Sequence, residues 1–151
     1  MQPKIVKHEK LCITGITGDG NKTGEVWNEF ERIYDCKPFP KINESGYEIR
    51  FIDGINPAQK GMDVHVGFQT ARVDCSNGFV SVALPSAAYA IFDICVTNGY
   101  DSGNAEMDKW LVDNISKYKQ LEMNGVFYVI EVYNEKFAHS IVEFWIPICT
   151  L

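Results

Sequence analysis

The stretch VIEVYNEKFAHSIVEFWIPI (residues 129–148) reads as two apolar strands joined by a turn, with one glutamate in the middle of each. Side chains alternate across a strand. Phe127, Val129, Glu131 and Tyr133 therefore share one face of the first strand, and Ile130 and Val132 the other. In the second strand Val142, Phe144, Ile146 and Ile148 form a core face, while Glu143 and Trp145 point the opposite way. A hairpin symmetric about Phe137 pairs Glu131 with Glu143 and Val129 with Trp145, a register that the length of the turn leaves open. In that register two carboxylates face each other beside Tyr133 and Trp145. Like charges directly opposite are destabilising, and large aromatics are costly to leave in water. A lipophilic cation between them relieves both problems, through its charge and through the ring faces. The alternative is a solvated sheet face, where glutamates are common.

Outward from this hairpin the chain reads as a doubled pattern. PKIVKHEKLCITGITG is a strand. EVWNEFERIYD puts Val26, Trp27, Phe30, Ile33 and Tyr34 at helical spacing, with Asn21 or Thr23 as N-cap. YEIRFID is a strand with Tyr47, Ile49 and Phe51 on one face, and MDVHVGFQTA a strand with Val64, Val66 and Phe68 on one face. The order then repeats. FVSVALPSAAYAIFDICV is a strand broken near Pro85, because proline cannot donate to a ladder. NAEMDKWLVDNISKYKQ sets Met107, Trp110, Leu111, Ile115 and Tyr118 on one helical face, with Asn104 as cap and Asp113–Lys117 as a supporting pair. VFYVIEVY and SIVEFWIPI close the chain.

Strand–helix–strand–strand, twice, with Trp27 and Trp110 at matching points, predicts an α+β fold. Two pseudo-symmetric modules, about 1–73 and 79–151, form one domain with an antiparallel sheet and a central ligand cleft. The polar segment 74–78 is a bend between them.

The 151 residues are enough for one domain that folds without disulfide or metal. The net charge of −6 argues against direct nucleic-acid binding, which requires a basic face. Five scattered cysteines without a CxxC argue against a disulfide framework or zinc site and fit a reducing cytoplasm, and most of them read as small buried hydrophobes. MQPKIVKHEK lacks the apolar core of a signal peptide, and no stretch approaches the roughly 20 apolar residues of a membrane span.

Several of these segments, in order, resemble the GyrI-like small-molecule-binding domain, which is also the effector-binding part of some AraC-type and MerR-type transcription regulators. SAAYAIFDICV resembles its glycine/alanine–tyrosine strand, VIEVY its signature strand and VEFWIPI its closing strand. EVWNEFERIYD stands where the family has its first helix, and VHVGF where it has a strand with a central glycine. The resemblance covers nearly the whole chain. It departs from the common pattern at Ala87 and Ala88, before Tyr89, where glycine is frequent.

The resemblance implies an aromatic-lined cleft for lipophilic cations with a glutamate from the signature strand, here Glu131, and Tyr133 beside it. The ligand-binding set is then Glu131, Tyr133, Trp145, Glu143, Phe127, His65 and Tyr89. It also implies two alternatives: a hydrolase of reactive small compounds using Glu131, Tyr133 and Glu143, or a topoisomerase-inhibitor-like protein binder. A homodimer or a separate regulator partner stays open.

Other motifs point elsewhere only weakly. The glycine-rich GITGDGNKTG (residues 15–24) matches neither GxGxxG nor GxxxxGK[ST] and reads as a mobile loop over the cleft. His8, His65 and His139 lack metal-ligand spacing. No cofactor, no metal and no GxSxG nucleophile is expected. His65 either looks into the cleft or is a satisfied internal histidine, and Trp27 and Trp110 read as core.

Overall fold

The structure, a computed structural model, describes residues 1–52 and 64–151. Asp53 and Met62–Asp63, the ends of two expected strands, lie outside the described residues. Among the described residues, ten antiparallel strands and two α-helices make up the fold. In chain order they are β1 (Lys4–His8), β2 (Leu11–Gly18), α1 (Thr23–Cys36), β3 (Gly46–Ile52), β4 (Val64–Thr70), β5 (Val80–Leu84), β6 (Ala87–Cys95), α2 (Asp101–Asp113), β7 (Tyr118–Gln120), β8 (Glu122–Met123), β9 (Val126–Tyr133) and β10 (Ile141–Thr150). The sheet runs β1-β6-β10-β9-β3-β4-β2-β5, with β7 added to β10 and β8 to β9.

This order shows the predicted doubling and a feature beyond it. Each expected first strand is broken in two, at Glu9–Lys10 and at Pro85–Ser86. The leading pieces exchange partners: β1 pairs with β6, and β5 with β2. Reading β1 as the counterpart of β5, β2 of β6, β3 of β9 and β4 of β10, the sheet order is the same from both ends. Its midpoint is the β3–β9 pair.

One face of the curled sheet closes on itself. Tyr47, Ile49, Tyr89, Ile91, Tyr128, Ile130, Val132 and Trp145 are buried there together with Leu11 and Ile13. The other face carries both helices. α1 buries Val26 and Phe30 against Val64, Val66, Phe39 and Phe79, and α2 buries Met107 and Trp110 against Phe92, Val142, Phe144 and Ile146. The predicted faces of β3 and β4 are as observed.

Several local expectations are corrected. α2 begins at Asp101 behind Tyr100, an N-cap without a side-chain bond, and Asn104 lies inside the helix. The helix stops at Asp113, so Ile115 is 72% exposed and Tyr118 belongs to β7. Asp113 takes its salt bridge from Lys109 rather than Lys117. Neither Asn21 nor Thr23 caps α1, whose N-cap is Lys22 without a side-chain bond. Residues 15–24 are not a loop: β2 runs to Gly18, Gly20–Lys22 is a 3-10 turn capped by Asp19, and α1 follows. Among the cysteines Cys12 is buried, but Cys36, Cys75 and Cys95 are exposed.

Close backbone approach explains two glycines. Gly15 and Gly67 are cross-strand partners, and a Cβ on Gly67 would lie 2.0 Å from the Thr14 carbonyl oxygen. Backbone on both sides cannot yield. Gly67→Ala is therefore expected to cost about 1–3 kcal/mol. Gly24→Ala, in α1 with nothing within 4 Å of its Cβ, should stabilise by up to about 1 kcal/mol. Urea unfolding of the two variants checks this pair; a neutral Gly67→Ala contradicts the close-approach account.

Candidate functional site

The central strands β3 and β9 lie between the two helices, and their helix-side residues floor a cavity of about 610 Å³. Such a volume suits a drug-sized molecule. Glu48 and Arg50 come from β3, Val129, Glu131 and Tyr133 from β9, and Phe144 and Ile146 from β10; α2 supplies Met107 and Leu111, and its N-cap residue Tyr100, as a wall.

Glu48 and Glu131 are direct cross-strand partners. Both are buried, at 2% and 5% exposure. Glu48 and Glu131 are equivalent residues of the two halves, and the register sets this pair at the midpoint of the sheet. One guanidinium answers both carboxylates. Arg50 Nη2 donates to Glu48 Oε2 at 3.0 Å, and Nε to Glu131 Oε2 at 3.4 Å. The remaining bonds fix Arg50 to the start of α1, from Nη1 to the Gly20 carbonyl (3.1 Å) and from Nη2 to Thr23 Oγ1 (2.9 Å).

Glu48 also accepts from Trp27 Nε1 at 3.0 Å. A Cβ on Gly46 would sit 3.0 Å from the Trp27 ring, so the glycine leaves the indole room to lie over β3 and reach the carboxylate. Glu131 Oε1 accepts from the Tyr133 hydroxyl at 3.2 Å. Burial, then the Glu48 carboxylate and a hydrogen bond to Glu48, push the Glu131 carboxyl up to about 8, against the opposing pull of Arg50. Burial also raises the Tyr133 phenol, with Glu131 and Glu48 adding to it. Arg50 is lowered by burial but raised further by Glu48 and Glu131, so its net displacement is upward.

Of the residues expected in the site, Glu131 and Tyr133 line this cavity, and the structure places the other five elsewhere. The hairpin register is one residue away from the symmetric one. Glu131 pairs with Phe144, Ile130 with Trp145 and Val132 with Glu143. The cause is the connection, a 3-10 turn (Glu135–His139) capped by Asn134 and closed by Ser140 in the left-handed region at φ 60°. A one-residue slip exchanges the faces. Glu143 and Trp145 thus lie on the opposite side of the sheet from Glu131.

There Trp145 stacks on His8, with centroids 4.6 Å apart, and donates through Nε1 to Glu143 at 3.0 Å. Lys136 Nζ reaches the other Glu143 oxygen at 2.9 Å. Burial alone would raise the Glu143 carboxyl, but the bonds from Lys136 and Trp145 outweigh it and hold it low. Tyr89 is buried in the same inner core, its hydroxyl 3.4 Å from that of Tyr128. His65 is the satisfied internal histidine. Nε2–H donates to the Ile13 carbonyl (2.9 Å), Nδ1 accepts from Thr17 Oγ1 (3.0 Å), and burial lowers its basicity. Phe127 is 39% exposed and faces a shallower hollow with Ile115, Tyr118 and Leu151.

Sequence reasoning missed Glu48, Arg50, Tyr100 and the α2 wall, and assigned Trp27 to the core alone. The available signal was YEIRF itself: with Tyr47, Ile49 and Phe51 assigned to one core face, Glu48 and Arg50 had to share the other, as Glu131 and Tyr133 do in VIEVY.

Solved structures of low identity share this fold. The EcmrR C-terminal domain aligns at a TM-score of 0.65 with 10% identity, over 99% of this chain and 98% of that one. EcmrR in a cryo-EM complex with DNA gives 0.70 with 10% identity over 99% of this chain, which spans 58% of the EcmrR chain. SAV2435, solved bound to tetraphenylphosphonium, gives 0.61 with 14% identity, over 99% and 94% of the two chains. No family model and no curated protein matches the sequence. Among the described residues no cluster of three or more His, Cys, Asp or Glu side chains could hold a metal, and no helix is long and apolar enough to cross a membrane.

A carboxyl displaced upward in the folded state contributes stability that is complete below its ordinary value of 4.5 and is lost as pH rises through about 8. Glu131→Gln removes that loss. The variant is expected to match the parent near pH 4.5 and to exceed it by a few kcal/mol at pH 8–9, at about 1.4 kcal/mol per unit of displacement. Thermal unfolding across this range checks it; parallel pH profiles refute the buried-carboxyl assignment.

Proposed function

We propose that the chain is a GyrI-like small-molecule-binding domain that takes lipophilic cations into the cavity between α1 and α2. The observation carrying this reading is the pair Glu48 and Glu131, both more than nine-tenths buried in an apolar-walled cavity, with a single cationic group, the Arg50 guanidinium, against them among the described residues. Buried charge without compensation is costly, so the site favours a ligand that brings positive charge. Tyr100, Tyr133 and Phe144 offer ring surface for it. An anion finds little to bind, because the Arg50 donors are engaged by Glu48, Glu131, Gly20 and Thr23. The likeness to SAV2435 in its tetraphenylphosphonium complex supports the same reading.

The test is a titration with tetraphenylphosphonium and with its anionic isostere tetraphenylborate, followed through Trp27, whose indole bonds Glu48. At pH 8.5 the cation is expected to bind at least about tenfold more tightly than the anion. Glu131→Gln should weaken the cation by about 2–5 kcal/mol and leave the anion unchanged or improved. Equal affinities for the two ions refute cation selection.

The raised Glu131 carboxyl beside the Tyr133 hydroxyl also suits general acid–base work, which keeps hydrolysis of a reactive ligand as the second reading. Mass spectrometry of the ligand after incubation separates the two: unchanged mass means binding, and products whose masses sum to the ligand plus one water mean turnover.

DNA contact is not proposed for this chain. Its net charge is −6, and the EcmrR chain solved with DNA extends well beyond the part this chain spans. A gel shift at low salt is expected to show no duplex binding at micromolar protein.

A further inference from the structure

We propose that the empty site holds one proton between Glu48 and Glu131, and that a ligand cation enters in exchange for that proton. The inference rests on the cation-binding reading above and adds how the site is regulated.

Charge balance at the cavity leads to it. Arg50 is the one cationic side chain among the described residues that line the cavity. Two carboxylates against one guanidinium leave an excess negative charge in a buried place. The other groups facing the pair do not cancel it. Tyr133 from β9 and Tyr100 at the N-cap of α2 are neutral phenols; Asn104 and Thr23 are uncharged; Asp108 of α2 adds a further negative charge at the exposed rim. Trp27 of α1 donates a hydrogen bond but no charge.

The arrangement of donors assigns the proton to one side. Arg50 is held to the start of α1 by Gly20 and Thr23, and its closer contact is with Glu48, 3.0 Å against 3.4 Å for Glu131. Glu48 has the indole of Trp27 as well. Glu131 has the long Arg50 contact and the Tyr133 hydroxyl. A protonated Glu131 donating to an ionised Glu48 satisfies both groups and makes the cavity neutral. Its carboxyl, raised by burial and by Glu48, agrees with this placement.

A monovalent cation restores the same balance by another route. As it settles between the carboxylates, the Glu131 proton leaves for solvent or buffer, and the cavity stays neutral. Singly charged ligands fit this count, whereas a neutral isostere displaces no proton.

The experiment combines two measurements. Carbon-13 carboxyl NMR of the ligand-free protein is expected to show one glutamate titrating in the neutral range, absent from Glu131→Gln. Calorimetry with tetraphenylphosphonium at pH 6, in buffers of different ionisation heat, should find close to one proton released per cation, falling toward zero above pH 9. Affinity for the cation should rise about tenfold per pH unit up to about 8 and then level off. In Glu48→Gln the release at pH 6 should drop by at least half. A cation that binds at pH 6 without releasing a proton overturns the exchange and leaves the cation-binding reading standing. Release that is unchanged in Glu48→Gln also overturns it, since the proton then belongs elsewhere. If tetraphenylphosphonium does not bind although a carboxyl titrates in the neutral range, the cation-binding reading fails and the exchange falls with it.

Discussion

The pairing of Glu48 with Glu131 across the β3–β9 seam is the constraint on which the site depends. Two equivalent strands meet at the midpoint of a symmetric sheet, and their register sets the equivalent residues Glu48 and Glu131 opposite each other there. On the inner face this puts Ile49 beside Ile130, a pair the core absorbs. On the helix face it puts a carboxylate beside a carboxylate. α1 and α2 each cover their own half of the sheet and leave the seam uncovered, so the charges sit at the bottom of a cavity rather than under a helix. Arg50 and Trp27, both tied to the first half, make the arrangement tolerable without neutralising it. Stability is given up at this one place, and that is typical of a site shaped for a ligand.

Much of this was legible in the sequence. The period of EVWNEFERIYD and the alternation in YEIRF, VHVGF and VIEVY placed α1, β3, β4 and β9 correctly. The repeated order gave the doubling, and the company of Glu131 and Tyr133 marked them for a pocket. The partner strand's register was not legible. A symmetric loop and one with a 3-10 turn closed by a left-handed Ser140 differ by a single residue of pairing, and no glycine announces the positive φ at Ser140. That residue carries Glu143 and Trp145 from one side of the sheet to the other. The exchange of β1 and β5 between halves was hidden for a related reason. Pro85 signals a break in a strand, but a break says nothing about which neighbour the freed piece joins.

The two glutamates of the closing hairpin thus solve different problems. Glu143 is held ionised by Lys136 and the Trp145 indole, and ties the 3-10 turn to the inner core. Among the described residues Glu131 has no such lysine. Sequence context alone could not separate them, because both sit among large apolar residues in strands of the same character. What separates them is which donors the fold brings within reach.

Symmetry supplies the frame of the site, and its breaking supplies the chemistry. Trp27 precedes Glu48 by the same 21 positions that separate Trp110 from Glu131. Yet Trp27 reaches its carboxylate, while Trp110 is buried against Phe92 and stacked on Tyr118. Two residues beyond each glutamate, the first half has Arg50 and the second Tyr133, a fixed charge against a neutral hydroxyl. Glu48 therefore receives an indole and the nearer side of a guanidinium, and its charge is committed to the protein. Glu131 receives a phenol and a long contact, and its charge is not. Equal donors on both sides would have left either a site with no charge to offer or two uncompensated carboxylates too costly to bury. The unequal pair leaves one carboxylate whose charge state a ligand can set.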